Sequence, residues 1–313
     1  MSAPIVAVAA AVLIRGDGRV LLAQRLTGTP YAGYWEFPGG KAEKGETMRE
    51  TLVRELREEL GIEVTRAAPW LVQRYLYPHA HVELHFFRVF AWRGEPHGRD
   101  GQAIAWQRPG AFDVEPLLPA NAVILRALQL PAIYGISMAE DLGEDEFLQR
   151  ASSALADGLT LIQLREKSWP SERMCRLAER LLPLAHDVGA RVLLNGDAQL
   201  ARALGCDGVH WPAATLLAAS ARTDGILCAA SCHDETELAR AAALELDFAV
   251  LGPVCATPSH PGAAPLGWQH FGELVRNTPL PIYALGGLDA KDLDTAIEHG
   301  AHGVALRRAA WPR

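Results

Sequence analysis

Eight short apolar runs alternating with helical stretches fill the chain from Ile133 to Leu306, and this alternation constrains the fold more than any other feature. The runs are residues 133–137, 160–164, 191–194, 208–210, 226–230, 248–252, 281–285 and 303–306. Strands joined by crossover helices are parallel and covered on both faces, so they read as apolar throughout, and eight such units close into a (β/α)8 barrel. Residues 131–313 are therefore expected to form a barrel domain. Few residues follow Leu306, so the barrel lacks a full last helix, and the flank between its first and eighth strands is expected to be covered by the other domain or another subunit.

Residues 1–130 have a different rhythm and are expected to form a separate domain. Residues 6–14 and 19–24 flank a Gly16-Asp17-Gly18 turn and read as a hairpin, and residues 81–92 read as a further long strand. Residues 48–60 read as a helix. Thr47 and Glu50 form a capping box, Gly61 closes the C-terminus, and Leu52, Val53, Leu56 and Leu60 make one apolar stripe. A shorter helix is expected over residues 121–128, ending before Pro131.

Composition excludes several classes. The chain is 49% hydrophobic and 21% charged, with no apolar run near the roughly 18 residues that cross a bilayer. Its N-terminal apolar segment has no basic region before it and runs into a turn, so no membrane partner is expected and the expected compartment is cytoplasmic. Up to Leu130 there are 15 basic against 14 acidic residues, and after it 15 against 23. Duplex nucleic acid is not an expected partner, because nonspecific binding needs clustered positive charge. Five cysteines without a CxxC pair read as reduced thiols. Oligomeric state stays open, a homo-oligomer included.

The strongest chemical signal is GKAEKGETMRETLVRELREELGI, residues 40–62. Glu55, Glu58 and Glu59 are spaced i, i+3 and i+4, which puts three carboxylates on one helix face, where repulsion is costly without a cation. Hard oxygen ligands favour Mg²⁺ or Mn²⁺, and Gly39 and Gly40 let a backbone carbonyl approach such an ion. A metal there neutralises a polyphosphate and acidifies the water that attacks phosphorus.

This stretch resembles the box of the Nudix hydrolases, GX5EX7REUXEEXGU with U aliphatic, at Gly40, Glu46, Arg54, Glu55, Leu56, Glu58, Glu59, Gly61 and Ile62. The resemblance implies an α/β/α sandwich with a mixed sheet. With YWEFPGG, GEPHGRDGQAIAW and the Pro119-Ala120-Asn121 triplet, it extends over about residues 4–130 to the MutT subfamily, which hydrolyses free 8-oxo-dGTP. It implies metal binding by Glu55, Glu58, Glu59 and the Gly39 carbonyl, and a catalytic role for Asp100, shorter than the family's glutamate and either ligand or base. It further implies that Asn121 reads the oxidised purine, Phe37 lines the base pocket and Arg25 contacts the nucleotide. For Asn121 a helix N-cap, and for Phe37 core packing, are the alternatives. Pro30 stands where the family has a histidine.

The barrel resembles the thiamine phosphate synthase and TenI family through QLREK (163–167), DGVH (207–210), LGPVCATPSHPG (251–262) and ALGGL (284–288). The resemblance implies a phosphate site at Arg165, Lys167, Gly286 and Gly287, with a phosphorylated metabolite as partner. The metal-binding aspartates of the synthase have no counterpart: Asn195 is followed by Gly196, with Asp197 displaced by one, and His210 is followed by Trp211, Pro212, Ala213, Ala214 and Thr215. A Thr-Lys pair is replaced by Ser259-His260 and a small hydroxyl residue by Arg307-Arg308.

These patterns lead to a Mg²⁺-dependent 8-oxo-dGTP diphosphatase fused to a repurposed phosphate-binding barrel. Four alternatives stay open. The barrel is a working synthase, or a TenI-like enzyme acting on a thiazole compound without metal. The hydrolase takes a thiamine-related diphosphate, or the barrel senses a metabolite and regulates it.

Overall fold

In chain order the first unit is built from β1 (Ile5–Leu13), β2 (Val20–Gln24), β3 (Trp35–Glu36), β4 (Gly39–Lys41), α1 (Met48–Leu60), β5 (Glu63–Tyr77), β6 (Ala80–Arg93), β7 (Ile104–Gln107) and α2 (Ala122–Ala127). The computed structural model describes residues 5–78, 80–257 and 264–311, and the chain divides into two compact units, one essentially up to Gln129 and the other from Leu130 onward.

Strand β1 is central to a mixed sheet of order β4-β1-β6-β5, antiparallel to β4 and parallel to β6. Its side chains alternate between two cores. Ala9, Ala11 and Leu13 pack with Leu52, Leu56 and Leu60 of α1, while Ala10 and Val12 pack with Phe86 and with Ile124 and Ala127 of α2. A sheet with a helix on each face is the α/β/α sandwich. Helix α1 has the Thr47–Glu50 capping box and a left-handed Gly61 at φ 69°. Leu52, Leu56 and Leu60 are fully buried, each contributing about 1.5–3 kcal/mol, and Val53 is half-buried.

The expected hairpin is corrected. After the single bridge Ile14–Val20, β1 and β2 part into different sheets, and β2 pairs instead with β3 and β7. Turn chemistry reverses the chain but does not dictate which strand it pairs with. Residues 63–77, which carry no clear strand signal, form β5, paired with β6 through register shifts around Pro69.

The second unit is a closed parallel barrel in which β8 (Ile133–Ile136), β9 (Leu161–Leu164), β10 (Arg191–Asn195), β11 (Gly208–Trp211), β12 (Leu227–Cys232), β13 (Phe248–Leu251), β14 (Ile282–Leu285) and β15 (Gly303–Leu306) follow one another around the ring. Between them run α3 (Ala139–Leu142), α4 (Glu144–Ala156), α5 (Ser171–His186), α6 (Ala198–Leu204), α7 (Ala213–Ala218), α8 (Glu235–Ala243), α9 (Gly267–Val275) and α10 (Leu293–Glu298). Tyr134, Phe248 and Tyr283 fill the interior edge to face, a packed core and no pore.

No helix follows β15 among the described residues, and its place is taken by Trp311. The indole is buried, lies 5.0 Å from Phe147 of α4, and donates from Nε1 to the Ile136 carbonyl at 2.7 Å. Trp311 thus covers part of the flank between β8 and β15 from within the barrel itself. No helix among the described residues is long and apolar enough to cross a membrane.

Candidate functional sites

In the first unit, Arg54 ties the loop before α1 to the helix. Its guanidinium donates to Glu46 at 2.7 and 3.0 Å, to the Lys41 carbonyl at 3.0 Å, to Glu55 at 2.8 Å and to Glu58 at 3.1 Å. Arg54 holds the Glu46 carboxyl down at about 2, chiefly through those hydrogen bonds. The loop is thereby pinned over the helix face that carries the glutamates.

The glycines before the loop let the strand approach that face. A Cβ on Gly39 would stand 2.0 Å from the Ala9 carbonyl oxygen, and one on Gly40 would enter the Glu55 carboxylate. The N–H of Gly39 donates to Glu59 Oε2 at 3.1 Å. Burial pushes Glu59 up to about 7 against that hydrogen bond, and the charges of Glu55, Glu36 and Asp100 push the same way. Asp100 is held near by its loop: Gln102 Nε2 and the Arg99 N–H both donate to the Glu59 carbonyl, and the Asp100 N–H donates to Gln102 Oε1 at 2.9 Å.

Four carboxylates therefore share one electrostatic neighbourhood, but they do not converge on a point. Among the described residues no group of three His, Cys, Asp or Glu side chains is gathered closely enough to hold a metal. Arg54 bridges Glu55 and Glu58 while Glu59 turns to Gly39, so the three glutamates fan out. The donor chemistry fits a hard divalent cation, which would offset the smaller share of the Glu59 rise that comes from Glu55, Glu36 and Asp100 after burial.

The residues expected at the nucleotide are placed differently. Arg25 donates to both carboxylate oxygens of Glu36 at 2.6 Å and to the Pro30 carbonyl at 2.7 Å, so its guanidinium is engaged within the protein. Burial raises Glu36, and Arg25 opposes that rise. Phe37 sits in the core, 4% exposed, edge to face with Phe86. Asn121 is 3% exposed at the start of α2 and makes no side-chain capping bond, so the N-cap alternative does not describe it. Its Nδ2 is buried without a hydrogen-bond partner among the described residues. Glu36 went unnoticed in the sequence, although it lies beside Phe37 in the YWEFPGG stretch.

In the barrel, Arg165, Lys167, Gly286 and Gly287 come together at the C-terminal ends of the strands, lining a cavity of about 730 Å³. Gly286 and Gly287 have φ of 106° and 67°, and a Cβ on either would come within 2.6 Å of the strand-six loop, at Pro253 Cα and the Ala256 oxygen. The cavity floor is a polar network. His210 bonds Tyr134 at 3.2 Å and Ser231 at 2.9 Å, with burial forcing the imidazole down to about 3, and Gln163 donates to Asn195 at 3.1 Å. His233, another lining residue, has Nδ1 2.9 Å from Glu237 Oε2. Nothing in the sequence marks this pair, because its i,i+4 spacing is that of an ordinary helix-surface contact.

Within QLREK, Glu166 is buried and accepts from Ser137 Oγ and from the Ala139 and Glu140 N–H groups, which turns it away from the cavity. Asp197 does not reach inward either. It caps α6, accepting from Gln199 and Leu200 at 2.7 and 3.1 Å. Ser259 and His260 lie outside the described residues.

Comparison with known proteins gives two matches. Residues 4–128 match the model of the NUDIX domain, and residues 133–310 that of thiamine monophosphate synthase. The 8-oxo-dGTP diphosphatase of Haemophilus influenzae is 39% identical over 128 residues, covering 41% of this chain and 94% of that protein. The thiamine-phosphate synthase of Thermus thermophilus is 35% identical over 164 residues, covering 52% of this chain and 80% of that protein. A solved MutT NUDIX hydrolase from Burkholderia pseudomallei is 30% identical, with a TM-score of 0.37, covering 39% of this chain and 97% of that one.

Proposed function

We propose, from the premise that this chain belongs to the NUDIX family in its first unit and to the thiamine monophosphate synthase family in its second, that the first unit hydrolyses 8-oxo-dGTP to 8-oxo-dGMP and pyrophosphate and that the barrel is a repurposed phosphate-binding domain. The observation that carries the first assignment is Asn121. A buried amide donor without a partner costs about 1–3 kcal/mol, and a base carbonyl placed against it recovers that cost. An amide offers both donor and acceptor, which suits the edge of an oxidised purine.

Mg²⁺ or Mn²⁺ held by Glu55, Glu58, Glu59 and the Gly39 carbonyl, with Asp100 beside them, would neutralise the polyphosphate and acidify the attacking water. The chain's own residues prepare that place. Arg54 keeps the loop closed over α1, and the glycine pair leaves room for the Glu55 carboxylate against the strand. Steady-state kinetics on 8-oxo-dGTP and dGTP with Mg²⁺, with the products identified, tests the assignment. Equal kcat/KM for the two substrates would reject it.

For the barrel, the absence of any Asp or Glu among the described lining residues supports phosphate binding over synthase chemistry, since a pyrophosphate leaving group needs its charge neutralised. The full chain is expected to form no thiamine phosphate from the pyrimidine diphosphate and thiazole phosphate with Mg²⁺. Product formation would make the protein bifunctional. The His233–Glu237 pair favours a second reading, acid–base chemistry on a thiazole compound without metal, because the carboxylate fixes the imidazole and leaves Nε2 to exchange a proton.

A further inference from the structure

The cavity at the barrel mouth is lined by Arg165, Lys167, Arg307 and Arg308, with no Asp or Glu among the described lining residues. The two carboxylates whose charge reaches Arg165 are engaged elsewhere. Glu166 is wrapped by Ser137 and two N–H groups, and Glu140 accepts from Ser168. Neither the Arg165 guanidinium nor the Lys167 ammonium has a hydrogen-bond or ion-pair partner among the described residues, while Arg307 is half-buried and paired with Asp141 at 2.6 Å. Lys167 is held below its ordinary value chiefly by the charge of Arg165 and further by burial and Arg307, and Arg165 by burial and then by Arg307. Three cations thus repel one another around a single space.

This lining does not fit a divalent metal. Mg²⁺ takes carboxylate and phosphate oxygens, and a further positive centre here would add to the repulsion. What relieves it is an anion with more charge than a single phosphate, which carries about −1.5 to −2 at neutral pH. Gly286 and Gly287, at positive φ, line the same cavity and bring main chain without side chains to its wall. Arginine is suited to the substitution because its planar fork binds phosphoryl oxygens in pairs.

We propose that the barrel cavity binds a diphosphate-bearing ligand without a divalent metal, Arg307 supplying the counter-charge that a metal would otherwise bring. Arg307 leaves Asp141 and closes on the ligand opposite Arg165 and Lys167. The inference deepens the reading of the barrel as a phosphate site and rests on it.

Calorimetric titration of the full chain with inorganic pyrophosphate in EDTA tests both together and separately. Binding is expected in EDTA, with added Mg²⁺ weakening it by competing for the anion. Arg307→Gln and Lys167→Ala are each expected to weaken binding at least tenfold, and Arg307→Lys to recover part of the loss. Asp141→Asn, which frees Arg307, is expected to tighten it. Binding that appears only when Mg²⁺ is added would overturn metal independence. Full affinity in Arg307→Gln with loss in Lys167→Ala would leave a phosphate site and remove Arg307 from it. No binding under either condition would sink the phosphate reading as well.

Discussion

A methyl group on Gly40 would stand 2.2 Å from the carboxyl carbon of Glu55. That carboxylate is the far end of a flexible side chain, so Gly40→Ala can be accommodated by swinging Glu55 aside. The variant is expected to melt near the parent temperature but to lose about 100-fold in kcat/KM, the scale of a 1 Å misplacement. Gly39→Ala meets main-chain atoms of Ala9 and Ala10 instead, and is expected to lower the melting temperature. Parallel melts and kinetics on both variants check the contrast.

Glu55→Gln keeps the shape and removes the charge. The side chain is partly exposed on the polar face of α1, so folding should be retained while kcat falls by at least about 100-fold. A variant with near-normal kcat would take Glu55 out of the chemistry.

Glu59 links stability to pH. Its carboxyl stands at about 7 in the folded protein against an ordinary 4.5, raised first by burial. Between those values the folded state keeps a proton that the unfolded chain releases, so stability falls as pH rises from about 4.5 to about 7 and is level above. The ceiling is about 3 kcal/mol, reduced by the solvent this carboxylate still sees. In EDTA, the parent should lose more melting temperature than Glu59→Gln between pH 5 and pH 8.

Asn121→Ala separates reading a base from holding a helix. A purine contact predicts discrimination between 8-oxo-dGTP and dGTP reduced by roughly 1–3 kcal/mol, about 5- to 150-fold in the ratio of kcat/KM. Because the amide makes no capping bond, no stability loss of the approximately 1 kcal/mol typical of a cap is expected. Urea unfolding and paired kinetics give both numbers.

Trp311→Ala should destabilise the barrel by about 3–5 kcal/mol, the usual cost of emptying a large aromatic site. It also leaves the Ile136 carbonyl without its donor. Chemical denaturation followed through the barrel's own signals reads the effect.

What could be read from the residues depended on period. Helix α1 and the eight barrel strands carry repeated local signals, a capped apolar stripe and apolar runs at regular intervals, and both appear where the pattern puts them. Strand β5 has no such signal: Pro69 interrupts it and its burial alternates irregularly, so pairing with β6 makes it a strand. At the sites, spacing along α1 brought the glutamates to one region but could not anticipate that Arg54 would fan them apart. Arg307 looked in sequence like the loss of a hydroxyl, and only its position in the ring reveals it as a charge facing Arg165 and Lys167. Asn121 was legible as a residue type, while its unspent donor belongs to the packing around it.

The hydrogen bond from Trp311 to Ile136 spans 175 residues, and β15 pairs with β8 at the same seam. This gives the barrel a distinctive history of assembly. Partial sets of strands leave two raw edges, and the entropy of joining the ends must be met before the seam gives anything back. Such topologies fold slowly, with exposed edges that invite association between chains. Once the ring is joined, a single cut in a surface loop leaves the pieces paired along every remaining strand, so the barrel should outlast nicking far better than its short helices suggest.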